Sequence, residues 1–307
     1  MVVSVAKTEL EGILPLIARG KVRDIYEVDP ETLLFVATDR ISAYDVIMEN
    51  TVPDKGILLT KLSEFWFQFL SKDIRNHLFP IPQDKTIFDF LPAELSQEKY
   101  KSQLEGRSLL VHKFKLIPLE VIVRGYITGS AWKEYSKAGT VHSLPQPQGL
   151  RESQEFPQPI FTPSTKAEQG EHDENISPEK AAELVGQDIA DRVEKLAITL
   201  YDKSKEYAKT KGIVIADTKF EFGIDEKTNE IILVDEVLTP DSSRFWNGAH
   251  YVVGKSQESY DKQFLRNWLT ANKLNGVEGV KMPQDIVKQT RAKYVEAYET
   301  LTGTKYK

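Results

Sequence analysis

The sequence predicts an α+β protein in two parts, and three observations carry that reading. Residues 13–50 read as short strands and tight loops, and residues 213–246 read as a β-hairpin with charged groups at its mouth. Apolar stripes at helical spacing fill 60–78, 178–212, 260–274 and 285–301. At 307 residues the chain is long enough for two lobes with a sizeable core.

Taken in order, Leu16-Ile17-Ala18 leads into Arg19-Gly20-Lys21-Val22-Arg23-Asp24, and Ile25-Tyr26-Glu27-Val28 continues the strand. Lys21 and Arg23 alternate on one face beside a glycine, which suits either a nucleotide's phosphates or a plain exposed basic turn. The loop is not a Walker A, because GxxxxGK[ST] is missing. Residues 33–37 form a buried strand, and Thr38-Asp39-Arg40-Ile41-Ser42-Ala43-Tyr44-Asp45 a polar loop. The stripe Leu62, Phe65, Trp66, Phe69 and Leu70 predicts a core-facing helix over 60–78. Residues 80–108, rich in Pro, Lys and Glu, read as a connecting excursion. A strand at 108–113 then meets 115–119, a hinge where Pro118 cannot donate to a ladder.

The next strand delivers Arg124, and a glycine-flanked turn brings Ser130 to the start of a helix over 131–137. Backbone donors there, with Arg124 and the Ser130 hydroxyl, suit a phosphate; a structural salt bridge is the alternative for the arginine. Residues 145–174 read as one long loop, of the length that is functional or disordered. Its tail holds Lys166 and the pair His172-Asp173, which either orients a ligand or is a satisfied loop histidine. Ser177-Pro178 opens a helix. A second helix after Gly186 turns Val193, Leu196, Ala197 and Leu200 inward and stops at Gly212.

In the hairpin, period-2 alternation sets Lys219 and Glu221 on one face and Phe220 and Phe222 on the other. Residues 225–230 form its loop, and the return strand 231–234 ends in Asp235-Glu236, ahead of Pro240-Asp241-Ser242-Ser243-Arg244. Carboxylates at an apolar mouth are costly to desolvate unless something positive neutralises them. A magnesium ion carrying nucleotide phosphates is the usual solution, and a solvated surface hairpin is the alternative. Adjacent strand residues point to opposite faces, so only one of Asp235 and Glu236 shares a face with such a metal. Asp235 follows the strand directly and is favoured, with Glu236 expected to pair with a lysine or arginine. The helix over 260–274 exposes Asp261, Lys262 and Arg266 at its start.

A net charge of −6 argues against non-specific nucleic-acid binding but allows small anionic substrates in a local positive pocket. Cysteine is absent, which excludes disulfides, thiolate metal sites and a cysteine nucleophile. The five histidines form no metal cluster, and no G-x-S-x-G elbow occurs. The first ten residues lack the apolar core of a signal peptide, and no run approaches the roughly 18 apolar residues of a membrane span. A cytoplasmic protein is the default, with no membrane or nucleic-acid partner and a monomer as the starting assumption.

Five stretches in this order resemble the SAICAR synthetase family, over nearly the whole chain and close in pattern to its fungal form. They are residues 19–24, 39–45, 123–126 with Gly129-Ser130, 216–223, and Asp235-Glu236 through Arg244. The resemblance implies a two-lobed α+β fold. Its β-rich N-terminal nucleotide-binding lobe would span 1–115. An α/β C-terminal lobe over 116–307 would hold the substrate and metal sites and end in packed helices, with ATP in the cleft between lobes. It implies ligation of 5-aminoimidazole-4-carboxylate ribonucleotide to L-aspartate through an acyl phosphate, giving SAICAR, ADP and phosphate in purine biosynthesis. Carried over by position, Gly20, Lys21, Val22 and Arg23 cover the ATP phosphates, and Lys115, Leu116 and Glu120 lie at the adenine-facing hinge. Lys166 and Lys219 face phosphates. Lys219, Glu221 and Asp235 are the catalytic set, with Mg2+ on Glu221 and Asp235 or Glu236. Ser42, Asp45, Arg124, Ser130, Asp241, Arg244, Asp261, Lys262 and Arg266 are the substrate-binding set. The alternatives are a small-molecule kinase of related fold and a non-catalytic nucleotide-binding module.

Overall fold

The computed structural model describes residues 4–10, 12–166, 174–260 and 262–307. The first strand, β1 (Leu16–Arg19), pairs antiparallel with β2 (Arg23–Asp29), and β2 with β3 (Thr32–Ala37). Alternate side chains of β3, Leu34 and Val36, are fully buried as period-2 geometry requires. Next, β4 (Ser42–Ala43) and β5 (Val46–Ile47) form a hairpin. Its two-residue turn has Tyr44 and Asp45 at φ 51° and 63°, the mirror-image geometry that matches strand twist.

Helix α1 (Lys55–Phe69) begins earlier than the apolar stripe indicates and ends earlier too. Gly56 allows the early start, because a Cβ there would lie 2.1 Å from the Ala37 carbonyl oxygen. Past Phe69 the chain closes a turn at Leu70 and Asp73, and Leu78 is already bridged to Val111. The connecting excursion contains a helix of its own, α2 (Glu98–Leu104). After it, β6 (Ser108–His112) pairs with β3 and completes a four-stranded sheet of order β1-β2-β3-β6.

The second sheet has seven strands. β7 (Lys115–Leu116) and β8 (Leu119–Tyr126) precede helix α3 (Gly129–Ala138), which Gly139 ends at φ 71°. A small hairpin, β9 (Thr140–Val141) with β10 (Leu144–Pro145), follows. The stretch expected as one long loop instead carries β11 (Glu155–Phe161) and β12 (Ser164–Thr165), both paired with β8. Its prolines disguised the strand: the β11 register breaks between Glu155 and Ile160, so Pro157 and Pro159 sit where no ladder donor is needed. Helices α4 (Pro178–Val185) and α5 (Gln187–Thr210) lead to β13 (Ile213–Asp225), β14 (Glu230–Val234) and β15 (Ser243–Asn247). The strand β13 is the hub, pairing antiparallel with β7, β8, β14 and β15.

One face of β8 and β13 is apolar, with Val121, Val123, Phe220 and Phe222 fully buried, and α5 packs against both strands. Gly125 is required there, since a Cβ would fall 2.0 Å from the Tyr201 hydroxyl, which donates to the Ile215 carbonyl at 2.6 Å. The opposite face is therefore free to carry charge.

By internal contacts the chain forms two units. One comprises Met1–Phe65, His77–Lys113 and Lys262–Lys307, the other Trp66–Asn76 and Phe114–Asp261. The last two helices, α6 (Gln263–Ala271) and α7 (Gln284–Thr302), thus group with the N-terminal strands, where a single cut after residue 115 had put them with the C-terminal part. The reason is packing: Leu265, Leu269, Ile286 and Val287 share a core with Ile41, Ala43, Met48 and Val52. Among the described residues, no helix is long and apolar enough to cross a membrane.

Candidate active site

Strand register builds one end of the charged face. Asp217 of β13 stands opposite Arg124 of β8 on one side and Arg244 of β15 on the other. Arg124 Nη1 donates to Asp217 Oδ2 at 3.3 Å, and Arg244 Nη1 donates to the same oxygen. Arg124 and Asp217 are buried, whereas the Arg244 side chain remains 28% exposed and within reach of solvent. The Arg124 fork also donates to Thr162 Oγ1 at 3.0 Å and to Ser130 Oγ at 3.3 Å. Ser130 lies in the first turn of α3, and Gly129 ahead of it leaves room for Arg244, whose Nη2 would be 2.5 Å from a Cβ there. Burial holds the Arg124 guanidinium below its ordinary pKa, with Asp217 opposing and the Arg244 charge adding to the effect. Two guanidinium groups share one aspartate, with the Ser130 hydroxyl in the first turn of α3 bonded to Arg124, a cationic site suited to a phosphate.

The other end is built on lysine. Lys219 Nζ donates to Glu120 Oε1 at 2.5 Å and to Glu221 Oε1 at 3.3 Å, and Lys166 Nζ pairs with the other oxygen of Glu221. Glu221 is nearly buried, while the lysine side chains are about a third exposed. Burial alone pulls the Lys219 ammonium down, but the charges of Glu221, Glu120 and Asp235 outweigh it and hold the pKa well above the usual lysine value. Register sets Val234 of β14 opposite Glu221, and Asp235 follows directly. Its backbone is left-handed, φ 66°, so strand alternation stops at Val234 and does not decide between Asp235 and Glu236. Glu236 turns to its own loop, where its Oε2 accepts from the Thr239 hydroxyl at 2.6 Å. Asp241 lies in the same turn, its N–H donating to Thr239 Oγ1 at 3.2 Å.

In the other unit, the loop after β1 is pinned from below. Arg40 donates to the carbonyls of Gly20 at 2.9 Å and Lys21 at 3.2 Å, and to Asp24 Oδ1 at 2.8 Å. Thr38 N–H holds the Val22 carbonyl at 2.9 Å. The loop's carbonyls therefore face inward, and the Lys21 side chain is out in solvent, pairing with Asp45. Ser42 is buried in β4, and Lys262 and Arg266 share the first turn of α6, joined by a 2.8 Å backbone bond.

The structure thus brings together Glu120, Lys166, Lys219, Glu221 and Asp235, and beside them Arg124, Ser130 and Arg244. It also brings Lys21 to Asp45. Lys115 and Leu116 are exposed on β7, with Lys115 paired to Glu226 at 3.2 Å. Asp261, His172 and Asp173 lie outside the described residues. Sequence reasoning left Asp217 and Arg40 without roles although both lie in the quoted motifs, and it passed over Thr162, Glu134 and His142. Register alone reveals Asp217, since its partners are distant along the chain.

Three comparisons bear on this geometry. A family profile described as SAICAR synthetase matches residues 16–283. A phosphoribosylaminoimidazole-succinocarboxamide synthase of Saccharomyces cerevisiae is 82% identical over 303 residues, covering 99% of each chain. A solved Saccharomyces cerevisiae SAICAR synthase in complex with SAICAR is similar at TM-score 0.94 and 79% identity, over 99% of each chain. A more distant SAICAR synthetase, solved in complex with ADP, matches at TM-score 0.68 and 26% identity, over 94% of this chain and 99% of that one.

Proposed function

Because the chain belongs to the SAICAR synthetase family, we propose that it joins 5-aminoimidazole-4-carboxylate ribonucleotide to L-aspartate at the expense of ATP, giving SAICAR, ADP and phosphate. The observation that best supports a site for this reaction is the sheet face on which an arginine row and a lysine–carboxylate group lie on the same strands, β8 and β13. The reaction needs both. A carboxylate is a poor electrophile until one of its oxygens carries a phosphate leaving group. Its oxygen attacks the terminal phosphorus of ATP and ADP departs. The aspartate amine then attacks the acyl carbon, phosphate leaves, and the amine gives up its proton as the amide forms.

In this reading Arg124, Arg244 and Ser130 hold the ribonucleotide phosphate, which stays unchanged throughout. Lys166 and Lys219 neutralise the phosphoryl group in transfer. Lys219 stays an ammonium, so it acts by charge and not as a proton acceptor. Glu120, joined to Lys219, holds that ammonium in place. Gly20, Lys21, Val22 and Arg23 cover the ATP phosphates, and Lys115 and Leu116 serve the adenine. Ser42, Asp45, Asp241, Asp261, Lys262 and Arg266 complete the substrate contacts.

Magnesium fits the donor set. Mg2+ takes one or two carboxylates plus phosphate oxygens and keeps several waters. Glu221 and Asp235, the second directly after the residue opposite the first, supply two hard oxygen donors. No three-residue His, Asp or Glu cage competes among the described residues. Bound there, the ion would draw charge from the phosphate oxygens, while Glu221 gave up its two lysines to them.

The test is phosphate release from ATP measured with and without each other substrate. Release that requires both aspartate and the ribonucleotide is expected. ATP consumption with the ribonucleotide alone, giving a stable phosphorylated product, would make the chain a kinase, and no turnover would make it a nucleotide-binding module.

A further inference from the structure

A strap of five residues, 162–166, runs from the arginine row to the lysines. At one end Thr162 accepts from Arg124, and its N–H donates to the Ile122 carbonyl at 2.8 Å. In the middle, Ser164 and Thr165 form β12 against Glu120 and Leu119. At the other end Lys166 reaches Glu221. A second arm lies beside it: Ile176 N–H donates to the Pro163 carbonyl at 3.1 Å, and Ser164 Oγ donates to Asn175 Oδ1 at 3.1 Å.

One side chain ties the two arms from outside. His142 Nδ1 lies 3.1 Å from the Pro163 carbonyl oxygen and 3.3 Å from that of Ile176. Carbonyls only accept, so Nδ1 carries the proton and donates to both. Nε2 is then a bare acceptor, buried and without a hydrogen-bond partner among the described residues. The ring is held firmly: His142 and Ser143 take φ 48° and 65° in the turn between β9 and β10. The Glu134 carboxylate accepts both their N–H groups, at 3.0 and 2.9 Å. Burial, then the Arg124 charge, pushes the imidazole below the ordinary histidine range, against the pull of the two carbonyls and Glu134. A neutral ring with its proton on Nδ1 is the form the carbonyls require.

We propose that His142 is a positioning residue whose Nδ1–H fixes the strap, and so the spacing between the ribonucleotide-phosphate subsite and Lys166. The proposal rests on the function assigned above. Arg124 keeps Asp217 and Ser130 as partners if the strap shifts, whereas Lys166 follows the strap directly. Loss of the His142 donor therefore falls on the ATP side.

Two variants tolerate the positive φ and differ in the donor. His142→Asn keeps an N–H near the Nδ1 position, and His142→Gly removes it. Losing hydrogen bonds of ordinary strength to two carbonyls should raise the ATP KM of His142→Gly about tenfold. Its ribonucleotide KM should stay nearly unchanged, and His142→Asn should keep both constants close to those of the unaltered chain. An unchanged ATP KM in His142→Gly, or equal rises in both constants, overturns the proposal. Should the glycine variant fail to fold, imidazole 15N shifts of the unaltered chain decide. A protonated Nδ1 with bare Nε2 supports the strap, and the opposite tautomer ends it. Failure of the assigned function would show separately, as no aspartate-dependent phosphate release by the unaltered chain.

Discussion

The arginine row and the lysine–carboxylate group share the strands β8 and β13 but are built on opposite plans. Arg124 is buried, and each branch of its fork has a fixed neutral or anionic partner in Asp217, Thr162 or Ser130. Lys219 and Lys166 are partly exposed and, among the described residues, held by carboxylates alone. A planar fork with rigid partners is already organised for an anion and loses little freedom on binding one. An ammonium on a long stem, balanced by carboxylates, can change partners when a phosphate and its cation arrive. The contrast teaches that the rigid end suits a phosphate that only anchors, and the adjustable end suits one that is transferred.

The heaviest blow to the arginine end is Asp217→Asn. It leaves Arg124 buried without its counter-charge, a loss of about 3 kcal/mol by the usual cost of breaking a buried pair. Urea denaturation should show that loss, and wild-type stability in this variant would mean that the row is not held by charge. Glu221→Gln attacks the other end. It should lower turnover by roughly 10²-fold, the range for removing one electrostatic stabiliser of a transition state, with folding little changed. Near-normal turnover at saturating magnesium would take Glu221 out of the proposed metal site.

The adjustable end can be sharpened further. Asp235→Asn should weaken magnesium dependence and turnover together, because Asp235 directly follows the residue opposite Glu221. Glu236→Gln should mainly cost stability, because Glu236 anchors the Thr239 turn. A larger magnesium defect in Glu236→Gln would reverse the two roles. The smallest effect concerns pH. The folded pKa of His142 is depressed, so the unfolded chain takes up the proton first as pH falls. The group costs nothing above an ordinary histidine pKa of about 6.5 and lowers stability progressively below it. His142→Asn should flatten that part of the acid limb of the stability curve, with Arg124 and Glu134 as the charges facing the ring. An identical limb in the variant would assign the titration to another group.

The two ends were unequally legible in the sequence. Lys219 and Glu221 could be read directly, because Phe220 and Phe222 alternate with them and two-residue periodicity assigns the faces. Arg124 and Ser130 could be read from a strand running into a glycine-flanked turn. Asp217 could not, because it means something only once register sets it between Arg124 and Arg244, whose positions along the chain give no hint. The strand β11, which leads into the strap, was hidden by Pro157 and Pro159, which made it look like loop until the register break absorbed them. Strand alternation was expected to allow only one of Asp235 and Glu236 on the metal's face, a rule that the left-handed backbone of Asp235 does not obey. The final helices show how a core formed with residues 41–52 overrides proximity in sequence.

The division of labour is tested most directly by titrating Arg124→Lys in a calorimeter, first with the ribonucleotide and then with ADP and magnesium. Lysine keeps the charge but loses the fork, so the ribonucleotide should bind about tenfold more weakly, the cost of one charge-assisted hydrogen bond. ADP affinity should be unchanged. Equal weakening of both ligands would make Arg124 part of a common scaffold and contradict the separation of an anchoring end from a transferring one.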